Sequence, residues 1–165
     1  MRTLCCIALG LGMTVGMAAQ AAAQANADIK NAQGQSIGTA TLTETPHGVL
    51  LHVALTKAPE GTHAFHIHAV GKCEAPFTTA GGHLNPATKK HGIKSAEGAH
   101  AGDLPNVTVP AGGALTFDVL AAGVSMASVL DADGAAVVMH QGADDYASDP
   151  AGNAGDRVAC GVVSK

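Results

Sequence analysis

The sequence predicts an all-β protein, an antiparallel Greek-key β-sandwich or flattened barrel with two long functional loops. Three observations lead there. Short segments alternate apolar and polar residues with the period of a strand, turn residues separate them at hairpin spacing, and no stretch offers a long amphipathic helix. Two irregular segments, 71–102 and 141–156, stand apart from the strands. Loops of that length inside a compact domain usually carry function.

The elements follow in chain order. Arg2 supplies a short positive region, Leu4 to Ala19 an apolar one, and AAQAAAQA several small-residue cleavage options. Residues 1–25 therefore read as a signal peptide cut near Ala23 or Ala25, and 26–165 as one β domain. The apolar stretch falls short of the roughly 20 residues a spanning helix needs, so no stable membrane association is expected after cleavage. Cys5 and Cys6 leave with the leader.

SIGTATLTE at 36–44 alternates, TPHG at 45–48 forms a turn, and GVLLHVAL at 48–55 places Val49, Leu51, Val53 and Leu55 on one face. FHIH at 65–68 is a further strand. After the long loop come NVTVP at 106–110, the Gly112-Gly113 turn, ALTFDV at 114–119, SVLDADG with a turn at Asp133-Gly134, AAVVMH at 135–140 and RVACGVV at 157–163. Apolar residues make up 47% of the chain but aromatics only 2%, so the core must be built from Val, Leu, Ile and Ala. The net charge of −4, with no basic stretch beyond Lys89 and Lys90, gives nucleic-acid binding no electrostatic footing.

The chemistry is concentrated in FHIH, AGGHLNP, KHG and HAGD, which bring His66, His68, His83, His91, His100 and Asp103 within 65–103. His140 ends the later run AVVM. A strand sets residues i and i+2 about 6.6 Å apart on one face, so His66 and His68 point together, away from Phe65 and Ile67. Asn85, Pro86 and Gly92 mark the stretch around His83 and His91 as an ordered loop, from which histidines can converge. His100 and Asp103 are close enough in sequence to reach one ion. Imidazole nitrogen with a carboxylate is the donor set of zinc and copper(II). Of the other histidines, His47 lies in a turn, His52 projects opposite the Val49 stripe, and His63 shares the face of Phe65 and Ile67.

The order FHIH, AGGHLNP, KHG, HAGDL, VVMH, ADD and NAGDRVACGV resembles the copper-zinc superoxide dismutase family from about Gly61 to the C-terminus. Cys73, placed soon after His68, is similar to the bacterial branch, which fits an exported periplasmic protein. The resemblance implies copper held by His66, His68, His83 and His140, and zinc held by His83, His91, His100 and Asp103. His83 then bridges both metals. Asp144 matches an aspartate that bonds the outer nitrogens of His66 and His91, and Arg157 matches an arginine beside the copper that guides the anionic substrate. His63 matches a buried structural histidine.

Export and the family pattern together lead to a Cys73–Cys160 disulfide. The implied activity is dismutation of superoxide to oxygen and hydrogen peroxide, with one copper and one zinc per chain. A homodimer is compatible with the family. An alternative from another class is a periplasmic copper/zinc-binding carrier without catalysis, which would need neither Arg157 nor a shared His83. Arg157 also has Asp149 or Asp156 as alternative surface partners. The stretch YASDPAGNAGD lacks the steering lysine of many eukaryotic members, and Lys72, Lys89, Lys90 and Lys94 are the candidates to replace it.

Overall fold

Alternation in the sequence becomes alternation in burial. The computed structural model describes residues 22–165, so most of the expected signal segment lies outside the described residues. Strand β1 (Gln24–Asn31) is followed by β2 (Ser36–Thr45) and β3 (Gly48–Leu55), and Val49, Leu51, Val53 and Leu55 of β3 all face the core. The β2–β3 hairpin closes at Pro46-His47, with Thr45 paired to Gly48. Gly48 has a φ of 131° and its α-carbon lies against the Ala121 carbonyl, where a side chain would clash.

Strands β4 (Gly61–His63) and β5 (Phe65–His68) come next. A long loop then leads to β6 (Val107–Val109), β7 (Leu115–Ala121), a one-turn helix α1 (Met126–Val129), β8 (Ala136–His140) and β9 (Arg157–Val162). The principal sheet is antiparallel and curled, in the order β5-β8-β9-β1-β2-β3-β7, and β4 pairs separately with β6. The first strand meets the last at Lys30 opposite Cys160, so non-consecutive strands are neighbours, as Greek-key connections require. Inside the curl lie aliphatic side chains such as Ile29, Leu42, Leu51 and Ile67, with Phe65 edge-on to Phe117 at 5.7 Å. Burying each such side chain contributes about 1.5–3 kcal/mol.

The elements not anticipated are β1, the short β4, a 3-10 turn at Thr78–Ala80 and α1. Strand β1 hides its alternation because two of its inward residues, Ala25 and Ala27, are small and resemble the flanking leader. Helix α1 is set by Ser125, whose side chain accepts from the Ser128 backbone while Ser128 bonds back, a reciprocal cap at the N-terminus. The turn at Asp133-Gly134 is present, with Gly134 at φ 67°. Among the described residues no helix is long and apolar enough to cross a membrane.

The first long loop folds back along the free edge of β5, while the second reaches His66 through the Asp144 side chain. Ile67 donates to the Gly102 carbonyl at 2.9 Å and accepts from the Leu84 amide at 2.8 Å, while Ala69 donates to Gly82 at 2.9 Å. These bonds set His83 beside His68 and Asp103 beside His66. Gly102 permits the approach, since a β-carbon there would run into the Ile67 carbonyl.

Candidate metal centre

Strand β5 presents His66 and His68, its neighbour β8 ends on His140, and the loop between β5 and β6 supplies His83, His91, His100 and Asp103. One ligand atom from each of His66, His68, His83 and His140 lies within 4.8 Å of the others, and the same holds for His83, His91, His100 and Asp103. His83 belongs to both groups. Its ring lies tilted at 4.1 Å from that of His66 on one side and meets His100 edge-on at 5.3 Å on the other.

The two nitrogens of His83 have different surroundings. Nδ1 is 2.7 Å from Asp103 Oδ1, and that oxygen also faces His91 Nδ1 at 3.1 Å and His100 Nδ1 at 3.2 Å. Nε2 has no partner. It shares that condition with His66 Nδ1, His68 Nε2 and His140 Nε2, all buried and all turned toward one another. Four unpaired buried nitrogens in one place are costly unless a cation accepts their lone pairs. The donor set fits copper on this side, and three imidazoles with one carboxylate fit tetrahedral zinc on the other.

The outer nitrogens are fixed. His66 Nε2 donates to Asp144 Oδ2 at 2.9 Å and His91 Nε2 to Asp144 Oδ1 at 3.0 Å, so one carboxylate orients a ligand of each group. His68 Nδ1 lies 3.0 Å from the Gly81 carbonyl and His140 Nδ1 3.3 Å from that of Gly155. Such bonds select the tautomer that leaves the inner nitrogen free for metal.

Burial sets the protonation states. It pushes His68 down to about 2, helped by the charges of His83 and Arg157, and His83 and His140 down to about 4. These rings are therefore neutral and able to ligate at pH 7. Burial raises Asp103 and Asp144, but in both it is outweighed. Asp103 is held low by its bonds to His83 and the Gly92 amide, and Asp144 by those to His66, His91 and the Tyr146 amide.

Arg157, the first residue of β9, is half-buried and pairs in register with His140. Nη1 donates to the Phe77 carbonyl and Nη2 to the Gly81 carbonyl, each at 2.6 Å. The surface pairs with Asp149 and Asp156 do not form. Asp149 instead accepts from the His91 amide at 2.8 Å, and the Asp156 carbonyl accepts from Gln141. Neutral carbonyls thus hold the fork and leave its charge uncompensated. Among the lysine candidates, Lys90 is paired with Glu97 at 2.9 Å, and Lys94 lies 5.4 Å from the centre of the Tyr146 ring.

Cys73 and Cys160 form a disulfide with α-carbons 5.6 Å apart. His63 is buried, its ring nitrogens 2.8 Å and 3.0 Å from the carbonyls of His140 and Pro59. His47 and His52 are exposed, and His52 pairs with Asp118 at 2.7 Å.

Sequence reasoning missed the scaffold around Asp144. The Asn106 side chain accepts from the Asp144 amide at 2.8 Å and donates to its carbonyl at 2.9 Å, and the Asn106 amide donates to the Tyr146 hydroxyl at 2.7 Å. Gly152 packs on Asp144 and His91, where a methyl group would overlap both side chains. Phe77 escaped notice because its polar role is played by its backbone.

Comparison with known proteins agrees with this geometry. A sequence model of the family described as copper/zinc superoxide dismutase matches residues 36–163. "Superoxide dismutase [Cu-Zn] 1" of Aquifex aeolicus is 47% identical over 145 residues, covering 84% of this chain and 86% of that protein. "Superoxide dismutase [Cu-Zn]" of Caulobacter vibrioides is 42% identical over 147 residues, 84% of each. A crystal structure of a double mutant of a SOD-like protein from Bacillus subtilis superposes with a TM-score of 0.80 at 36% identity, covering 83% of this chain and 95% of the other.

Proposed function

The chain belongs to the copper/zinc superoxide dismutase family, and from that premise we propose how its histidine cluster divides the work. The protein is an oxidoreductase that uses copper and zinc and dismutates superoxide. In the proposed assignment His66, His68, His83 and His140 hold copper, and His83, His91, His100 and Asp103 hold zinc. The observation that carries it is the set of four orphaned ring nitrogens facing one another, with the second nitrogen of His83 turned to Asp103.

Bound copper supplies the one-electron steps and zinc a fixed positive charge, so that two superoxide anions and two protons become oxygen and hydrogen peroxide. The protein supplies the rest. Arg157 attracts the anion and orients it through its fork, which has no carboxylate to compete for it. His83 Nε2 is placed to hold a proton and pass it to the product, the second proton coming from water. Asp144 keeps His66 and His91 in the tautomers that leave Nδ1 inward. All four proposed copper ligands are buried, His66 and His68 completely and His140 and His83 almost so.

A carrier without catalysis needs neither the uncompensated Arg157 charge nor a histidine common to two sites, and that alternative is not favoured. Metal analysis of the mature protein together with its rate of superoxide loss tests the proposal. One copper and one zinc per chain with catalytic loss is expected. Both metals bound without catalysis would favour the carrier.

The same proposal includes export to the periplasm, with cleavage after Ala23. Cutting after Ala25 would remove two residues of β1, one of them the fully buried Ala25 paired with Leu42. The mature N-terminus is then Gln24, which N-terminal sequencing of the periplasmic protein checks. A homodimer is compatible with this reading, and sedimentation of the mature protein measures it.

A further inference from the structure

We infer that Phe77 is the positioning residue for Arg157, its buried ring fixing the backbone carbonyl that receives one arm of the guanidinium. The inference rests on the reading of Arg157 as the substrate-guiding cation and adds the element that aims it.

Phe77 is one of three phenylalanines in the chain and the one that lies in a loop. Its φ of 71° and ψ of 13° put a bulky residue in the left-handed region, which such residues rarely adopt. A backbone held there persists only where its surroundings over-determine it. Here they do. The ring is 2% exposed and packs in a small cluster of its own with Ala80, Ala136, Val138, Cys160 and Cys73, separate from the principal core. The Phe77 amide donates to the Glu74 carbonyl at 2.6 Å, and the Phe77 carbonyl caps the 3-10 turn by accepting from Ala80 at 3.2 Å. That carbonyl also takes Arg157 Nη1 at 2.6 Å.

The second arm reaches the Gly81 carbonyl, which belongs to the same short segment and also accepts from His68. Segment 73–81 is therefore pinned to β9 through the disulfide and to β8 through the packing of Phe77 on Ala136 and Val138. The disulfide stands four residues before Phe77, so the ring, rather than the sulfur bridge, sets the carbonyl next to the guanidinium. Removing the ring leaves the left-handed backbone without its reason, and the carbonyl can turn away while both metal groups keep their ligands.

The test is a double-mutant cycle on the full mature protein, using Phe77→Ala, Arg157→Ala and the double variant, with metal content and free thiol measured in each. Arg157→Ala is expected to lower the second-order rate of superoxide loss by about ten-fold or more. Phe77→Ala is expected to lower it by about five-fold or more at unchanged copper, zinc and disulfide, as for a misplaced orienting group. In the Arg157→Ala background, Phe77→Ala should then cost nothing further. A second readout is independent of turnover. In zinc-loaded, copper-free protein, NMR of the Arg157 side chain should show restrained rotation in wild type and free rotation in Phe77→Ala.

Losses that multiply in the double variant, or a Phe77→Ala guanidinium as restrained as in wild type, would overturn the inference. An unchanged rate in Arg157→Ala would instead remove the reading of Arg157 itself, and the NMR comparison would still decide whether Phe77 anchors it. Should Phe77→Ala not fold, Phe77→Leu carries the same cycle, with a smaller loss of the same sign and the same lack of additivity expected.

Discussion

Arg157 and His68 share one acceptor: the Gly81 carbonyl receives Arg157 Nη2 at 2.6 Å and lies 3.0 Å from His68 Nδ1. The cation proposed to guide substrate and a proposed copper ligand are thereby fixed to the same atom. A displacement of that loop moves both. The proximity is felt electrostatically as well, since after burial and His83 the Arg157 charge helps keep His68 unprotonated.

Replacing Arg157 by Glu should leave copper and zinc content unchanged and cut the second-order rate about ten-fold or more, because an attractive charge becomes repulsive beside an anion. Arg157→Lys should lose less, keeping the charge but only part of the fork. Wild-type turnover should also fall as salt is raised. Pulse radiolysis on fully metallated protein measures all three, and equal rates for wild type and Arg157→Glu would take Arg157 out of the mechanism.

His83→Ala should impair both metal sites at once, as no other side chain belongs to both groups. His100→Ala, confined to one group, should weaken zinc with much less effect on copper. Atomic absorption after dialysis reads the difference. Normal retention of both metals in His83→Ala would contradict a shared ligand.

Reduction of the Cys73–Cys160 bridge should destabilise the protein, since the bond spans 87 residues of sequence. The chain-entropy model puts the effect at about 4 kcal/mol, with measured values often smaller. Denaturant unfolding with and without reductant gives the number, and thiol titration of untreated mature protein should find no free cysteine.

The metal-free protein should lose stability on acidification below the ordinary histidine range. His83 and His140 are pushed from 6.5 down to about 4 and His68 to about 2, so the unfolded chain takes up protons near 6.5 that the folded one refuses. The stabilisation is complete above 6.5 and declines as pH falls toward 4. Unfolding midpoints at pH 7.5, 6 and 5 should decrease in that order. A flat profile would mean that these rings protonate in the folded state.

Gly152→Ala should weaken zinc binding by about 10–100-fold, the usual cost of disturbing a partner of a ligand. The added methyl group would displace the Asp144 carboxylate or the His91 ring. Competition with a chromophoric zinc chelator measures it, and wild-type affinity in this variant would show that the loop yields without disturbing either side chain.

What was legible in the sequence was whatever side-chain type encodes. FHIH carries its period and its candidate ligands together, and His83, His91, His100 and Asp103 mark the long loop as the source of the others. Strand β1 was obscured by its alanines, whose burial comes from strand pairing rather than from their own hydrophobicity. The anchors of Arg157 were harder still. They are carbonyl oxygens of Phe77 and Gly81, and every residue has a carbonyl, so only its direction in space distinguishes one that holds a guanidinium. Asp149 and Asp156 were the alternative partners a sequence offers, because charge is visible there and backbone direction is not.

The loop segments that hydrogen-bond along β5 have a further consequence, for self-association. β5 ends the principal sheet, and an uncovered sheet edge is a template on which another chain can add a strand. Here the covering pieces are the same ones that carry His83 and Asp103, bonded to Ile67 through Leu84 and Gly102. Whatever loosens those covering pieces would therefore also uncover the backbone of a four-residue strand.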